Sequence, residues 1–228
     1  MLSIGHRGAK GHLLENTPAA FLKGIELGAD MLELDINLSS DGEFVVIHDP
    51  TLDRTTDGKG RVSEKTIKEI KSLNIEGGQK VPTLIEVIDL VDRRVPMNIE
   101  IKNPSSAAKL ADVLKIYFSA GWTFDDFRVS SFDHNELMEF SGLLPGVKTG
   151  AIIVGTPFRF AAYAADFGAH SINIPFETAD ERLIDDAHKR GMEVYMWNLN
   201  EPDNFADMCR RYGADGCITD FPDRVGNK

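Results

Sequence analysis

The chain has 228 residues, a hydrophobic content of 42% and a formal net charge of −11. That is enough apolar material for a sizeable core. The charge, with no Lys or Arg run to offset it, disfavours nucleic acid and anionic membrane surfaces as partners. No apolar stretch approaches the roughly 18 residues of a bilayer span. The opening residues, Met1-Leu2-Ser3-Ile4-Gly5-His6, lack the basic region and long apolar run of a secretory signal. The expectation is a cytoplasmic protein without stable membrane insertion. Cys209, in a helical pattern, and Cys217, in a short apolar run, read as buried free thiols.

From the N-terminus, strands are predicted at Leu2–Gly5, Met31–Leu38, Met97–Ile101 and Arg128–Ser131. They continue at Thr149–Val154, Ser171–Ile174, Glu193–Trp197 and Gly216–Thr219. Helices are predicted to start near Thr17, Thr83, Ser105, His134, Pro157, Ala179 and Pro202. Thr17-Pro18 places a cap before a proline at the first helical position, and Thr83 is followed by Glu86 in a capping-box spacing. Gly28-Ala29-Asp30, Gly168-Ala169-His170 and Gly213-Ala214-Asp215 each fall between a helix and a strand, a weak internal repeat.

Strand–helix alternation of this kind argues for parallel strands with helical crossovers. A (β/α)8 TIM barrel forming one domain over 1–228 is expected, with an open doubly wound sheet as the alternative; most of the weight for the closed barrel comes from the motifs below. Between Ile47 and Val81 the rhythm breaks. The chain there is polar, with one helical pattern near Glu64–Leu73, and reads as a small insertion at about 49–80, after the second strand and above the barrel mouth. After the eighth strand only Asp220–Lys228 remain, so the final helix is expected to be shortened or missing. That would leave a seam for a neighbouring subunit, and hence a homodimer.

Glu33 and Asp35 alternate with Leu32, Leu34 and Ile36, so the two acids share one strand face. Asn98, Glu100 and Lys102 do the same on the next predicted strand. Crowded carboxylates on buried strands need a cation, hydrogen-bond donors or shifted pKa values. Three oxygen ligands, Glu33, Asp35 and Glu100, suit Mg²⁺ or Ca²⁺, with Mn²⁺ as a further option. His6 and His48 stand at the ends of apolar runs, where barrel enzymes place chemistry, and a pair of imidazoles can supply base and acid. Arg7 and Lys102 are the cations placed against a phosphate, or against Glu33 and Glu100 in the empty protein. His12, His134, His170 and His188 lack such a setting and read as structural or surface residues.

These residues together resemble the glycerophosphodiester phosphodiesterase family. The likeness is carried by His6-Arg7-Gly8, Glu15-Asn16-Thr17, Glu33-x-Asp35, Asp41-Gly42, Val45-Val46-x-His48-Asp49 and Leu52-x-Arg54-Thr55-Thr56. It continues through Val81-Pro82-Thr83-Leu84-x-Glu86, with weaker echoes at Asn98–Lys102, Ser131-Phe132, Trp197–Asn200 and Ile218–Asp223. The resemblance implies a barrel with an insertion after the second strand and a divalent metal on Glu33, Asp35 and Glu100. It implies His6 and His48 as the acid–base pair and phosphate contacts from Arg7 and Lys102. Glu15 is given a supporting role, and Trp197 a pocket wall or a place in the barrel core. Two departures stand out: the near-absent final helix, and Asn198-Leu199-Asn200 where family members often carry Thr-Val-Asn.

The activity so implied is metal-dependent hydrolysis of small glycerophosphodiesters to glycerol 3-phosphate and an alcohol. Attack by the glycerol 2-hydroxyl through a cyclic phosphate and direct attack by water both remain open. Two other readings compete. One is a lysophospholipase D of sphingomyelinase D type, whose members look secreted and disulfide-bonded. The other is a non-catalytic barrel that binds a phosphorylated ligand.

Overall fold

In the computed structural model of the chain, residues 1–200 and 205–225 are described, with 205–208 given by their backbone alone. The first strand, β1 (Leu2–Gly5), pairs in parallel with β2 (Met31–Leu38). A short β3 (Phe44–Val46) then lies antiparallel against the end of β2, Ile36 opposite Val46. The ring continues through β4 (Met97–Ile101), β5 (Phe127–Ser131), β6 (Lys148–Ile152), β7 (Ser171–Pro175), β8 (Glu193–Trp197) and β9 (Gly216–Thr219). Because β9 pairs back onto β1, eight parallel strands form a closed (β/α)8 barrel, and β3 is an outrigger.

The crossovers carry α1 (Pro18–Glu26), α3 (Leu84–Val91), α4 (Ala107–Ser119), α5 (His134–Leu143), α6 (Ala162–Asp166), α7 (Glu181–Lys189) and α8 (Phe205–Tyr212); α2 (Ile67–Ser72) lies in the inserted segment. Thr17 caps α1 by accepting from the Ala20 N–H, and the Thr83–Glu86 capping box forms in both directions. The three Gly-Ala-x repeats turn out to be one device. In each, the Ala N–H returns to a carbonyl five residues back, Gly24, Ala164 or Cys209, at 2.9–3.0 Å. The next N–H then joins the neighbouring strand at Ser3, Thr149 or Val194. Gly213, at φ 73°, supplies the left-handed turn that this ending requires.

Strand alternation divides the apolar residues between two cores. Leu32, Leu34, Ile36, Ile99 and Phe127 face outward and pack under the helices. Ile4, Met31, Tyr195 and Ile218 face inward and plug the barrel. A third cluster sits under the inserted segment, where Leu52, Val62, Ile70 and Ile75 pack on Val45, Ile47 and Val81.

Several expectations are corrected. Cys209 and Cys217 are not free thiols; they form a disulfide. Only a tight turn separates α8 from β9, so the helix folds back onto its own strand and brings the two side chains together. The helix expected from Pro157 starts only at Ala162, because Arg159 and Phe160 adopt positive φ (64° and 54°) and hold the chain in turns. The apolar run at Phe44 is a strand in its own right. The helix start placed near Pro202 lies outside the described residues. After β9, Pro222–Arg224 forms one 3-10 turn, the only helical element among the described residues there.

Candidate active site

Register places the acids. On the parallel pair of β2 and β4, Glu33 lies opposite Asn98 and Asp35 opposite Glu100. The three carboxylates therefore converge inside the barrel near its C-terminal mouth. All are buried, at 3%, 1% and 8% exposure for Glu33, Asp35 and Glu100. They can offer oxygens within 4.8 Å of one another.

The first loop enters the same space. Gly8, at φ 87°, runs so close to α1 that a Cβ would meet the Ala20 backbone at 2.6 Å. Arg7 is thereby folded inward, and its backbone N–H donates to Glu33 Oε2 at 2.8 Å. The guanidinium donates to Glu15 Oε1 at 2.7 Å and lies 3.3 Å from Asp35 Oδ2. Asn16 donates to the same Asp35 oxygen at 2.8 Å. Lys102 is hydrogen-bonded to Glu100, and its Nζ lies 3.1 Å from Asp35 Oδ1. That last contact is close enough for an ion pair but misdirected, so Asp35 Oδ1 has no hydrogen-bond donor.

The electrostatics follow. Burial, then repulsion by Asp35 and Glu100, pushes the Glu33 carboxyl well above its ordinary range. Burial and Asp35 push Glu100 up to about 7. For Asp35 burial also acts upward, but Lys102, Arg7, His48 and Asn16 together outweigh it and hold the group low. Two acids crowded toward protonation beside an ionised one, with a buried Asp35 oxygen that no hydrogen bond satisfies, fit a divalent cation bound through hard oxygen ligands.

Both histidines reach the cleft. His6, at the end of β1, is 6% exposed; Nδ1 lies 2.6 Å from Asp220, and Nε2 accepts from Arg7 Nε at 3.1 Å. His48 follows β3; its Nδ1 lies 2.7 Å from Asp49. Burial lowers the pKa of both imidazoles. The cleft, about 510 Å³ with its open mouth, is lined on one side by His6, Arg7, Glu33, His48, Glu100 and Lys102. Ser130, Phe132, Ile152, Asn173, Trp197 and Ile218 line the other. Trp197 meets Phe132 edge to face at 6.1 Å, and its Nε1–H is buried without an acceptor.

Glu15 is set back from the cleft, between Arg7 and the inserted segment. Arg54 bonds both Glu15 oxygens at 2.7 and 2.9 Å and also grips Asp49. Burial opposes ionisation of Glu15, but Arg54 and Arg7 bring its pKa down to about 2. The remaining four histidines bond elsewhere, to Asp223, the Ile152 carbonyl, the Thr149 N–H and Asp215.

Every residue singled out from the sequence thus stands in the cleft or one contact behind it. The sequence motifs include Asn16, Asp49, Arg54, Phe132 and Asp220 without giving them a role; the structure places each in the cleft or in contact with a residue of the site. Asp49 adjoins His48, a local signal. Asp220 and His6 are 214 positions apart, and no local pattern joins them.

A closed barrel that gathers an acid trio, two imidazoles and two cations at its C-terminal mouth has the build of a phosphoryl-transfer enzyme. Comparison with known proteins narrows this class. The model of the glycerophosphoryl diester phosphodiesterase family matches residues 6–224. A glycerophosphodiester phosphodiesterase of Caldanaerobacter subterraneus is 35% identical, covering 99% of this chain and 96% of its own length. Among solved structures, the Thermotoga maritima glycerophosphodiester phosphodiesterase is 31% identical, with TM-score 0.82 over 98% of this chain and 96% of that one. A phosphodiesterase of Oleispira antarctica, solved with its product sn-glycerol-3-phosphate, is 25% identical, with TM-score 0.89 over 97% of this chain and 94% of that one. The chain belongs to the glycerophosphoryl diester phosphodiesterase family and is an enzyme of that family.

Proposed function

We propose that the chain hydrolyses small glycerophosphodiesters to glycerol 3-phosphate and an alcohol such as choline or ethanolamine. The reaction uses a divalent ion, Mg²⁺ or Ca²⁺ with Mn²⁺ as a third option, and His6 and His48 as acid and base. The observation that carries this reading is the meeting of Glu33, Asp35 and Glu100 with both imidazoles around one cleft. The Oleispira complex with glycerol 3-phosphate supports the product class.

Glu33, Asp35 and Glu100 would hold the ion. When bound, it neutralises charge at the phosphate and acidifies a hydroxyl in contact with it. The protein supplies the rest. Arg7 and Lys102, paired with the acids in this structure, would offer their donors to the phosphate oxygens. One imidazole takes the proton of the attacking hydroxyl, and the other protonates the departing alcohol. Phe132, Ile152 and Trp197 form a neutral wall that orients the diester and limits water. The whole chain acts as one catalytic unit, with the segment at about 49–80 serving the site through Arg54.

The same reading places the reaction in the cytoplasm. It requires that the Cys209–Cys217 bond be dispensable, since reducing compartments keep such pairs as thiols.

The test is turnover of glycerophosphocholine, glycerophosphoethanolamine and lysophosphatidylcholine by chelated protein, each repeated with Mg²⁺, Ca²⁺ and Mn²⁺. Release of glycerol 3-phosphate from the two soluble diesters, restored by an ion, is expected. Undiminished activity after exhaustive chelation removes the metal from the scheme. Preference for the lysolipid replaces the substrate class, and binding of glycerol 3-phosphate with no turnover of any diester makes the barrel non-catalytic.

A further inference from the structure

We infer that Asp220 is a positioning residue for His6, fixing the tautomer and the rotation of its imidazole from the end of β9. The inference rests on the proposed acid–base role of His6. The tautomer follows from donor arithmetic. Arg7 Nε can only donate, so His6 Nε2, which it contacts at 3.1 Å, carries a lone pair. The ring proton is then on Nδ1, and it is given to Asp220 Oδ1 at 2.6 Å. The nitrogen turned away from Asp220, the one in contact with Arg7, is therefore the unprotonated one.

Asp220 is itself immobilised. Its Oδ2 accepts from Asn200 Nδ2 at 3.0 Å, and its backbone N–H donates to Asn200 Oδ1 at 2.9 Å. Arg224 Nη1 donates to the Asn200 carbonyl at 3.0 Å. Lys10 Nζ stands 4.0 Å from the same carboxylate. The His6 N–H reaches the Thr219 carbonyl at 2.8 Å, so backbone and ring are tied to the same strand end. A carboxylate that orients a working imidazole fixes which nitrogen faces the substrate, and its loss costs rate more than binding. The short segment after β9, lacking a full helix among the described residues, thus has a use: it closes this clamp.

The experiment compares wild type, Asp220→Asn, His6→Ala and the double variant, all metal-loaded. kcat and KM are measured for glycerophosphocholine, and the histidine tautomers are read by ¹⁵N NMR of ring-labelled protein. Asp220→Asn should lower kcat by roughly 10–100-fold with KM and Tm nearly unchanged. The His6 Nδ1–H signal should be lost, and the substitution should lower the residual rate of His6→Ala no further. Should Asp220→Asn not fold, Asn200→Ala loosens the clamp without touching the pair; a smaller kcat loss at unchanged Tm is expected. Full kcat in either folded variant, an unchanged His6 tautomer, or an equal loss on the His6→Ala background would overturn the inference. A wild type inactive on every diester would instead defeat the proposed function, and the NMR arm would still decide whether Asp220 sets the tautomer.

Discussion

The two sides of the barrel mouth are built from opposite materials. The side formed by β1, β2, β3 and β4 contributes His6, Arg7, Glu33, His48, Glu100 and Lys102 to the cleft. The side formed by β5 to β8 contributes Ser130, Phe132, Ile152, Asn173 and Trp197, none of them charged. The charged side is held together by mutual pairing, with Arg7 and Lys102 set against acids whose own crowding is unfavourable. The cleft residues of the neutral side carry no ion pair of their own; Ser130 and Asn173 are hydrogen-bonded to Asn98 and Ser171, and Phe132 stays half exposed. On the proposed reading, charge so concentrated serves the substrate's phosphate, and the neutral wall meets the alcohol by shape. Substitutions on the first side should therefore damage rate, and those on the second should change fit.

The largest effects are expected at the imidazoles. His6→Ala and His48→Ala should each lower kcat by roughly 10²–10⁴-fold while the circular dichroism spectrum is retained. Next come the acids. Glu33→Gln or Glu100→Gln should abolish the rise in Tm that Mg²⁺ or Ca²⁺ gives the wild type, and should cost on the order of 100-fold or more in turnover. A variant that still gains stability from the ion would place the ion elsewhere. Arg7→Ala and Lys102→Ala each remove a charge-assisted contact to phosphate and should lower kcat/KM by roughly 10–100-fold. Equal losses for a neutral ligand of similar size would contradict a phosphate role.

How far this asymmetry was legible beforehand differs between the two sides. The acids could be read because strand alternation puts Glu33 with Asp35, and Asn98 with Glu100, on shared faces; parallel register then aligns the two pairs. The eight ring strands were legible from the strand–helix alternation, most of them being short apolar runs between turn signals. What escaped was long-range or three-dimensional. Arg54 joins Glu15 to Asp49 only because the inserted segment folds back on its own small core. Phe132 lines the neutral wall from the loop after β5, where Ser131-Phe132 echoes the family but no spacing gives the ring a role. The cysteine pairing depended on how tightly α8 turns into β9, which composition does not encode.

Smaller effects should sharpen the contrast. Glu15 has its pKa lowered from 4.5 to about 2 by its two arginines, against its burial. Its contribution to stability is full above pH 4.5 and disappears as pH falls through about 2. Glu15→Gln should therefore flatten the acid limb of a stability-against-pH curve by about 1–3 kcal/mol, the half-exposed Arg54 keeping the figure modest. An unchanged acid limb would show that the arginine pairing adds nothing. Smallest of all, Phe132→Ala and Trp197→Ala should leave kcat within a few-fold for one head group while shifting KM between choline and ethanolamine diesters, by roughly 1–2 kcal/mol of lost apolar contact.

The most direct test of the account is the initial rate of glycerol 3-phosphate release from glycerophosphocholine by His48→Ala beside wild type, both folded and saturated with Mg²⁺ or Ca²⁺. A fall of roughly 10²–10⁴-fold is predicted. A rate within a few-fold of wild type would show that the imidazole facing the acids takes no part in the chemistry.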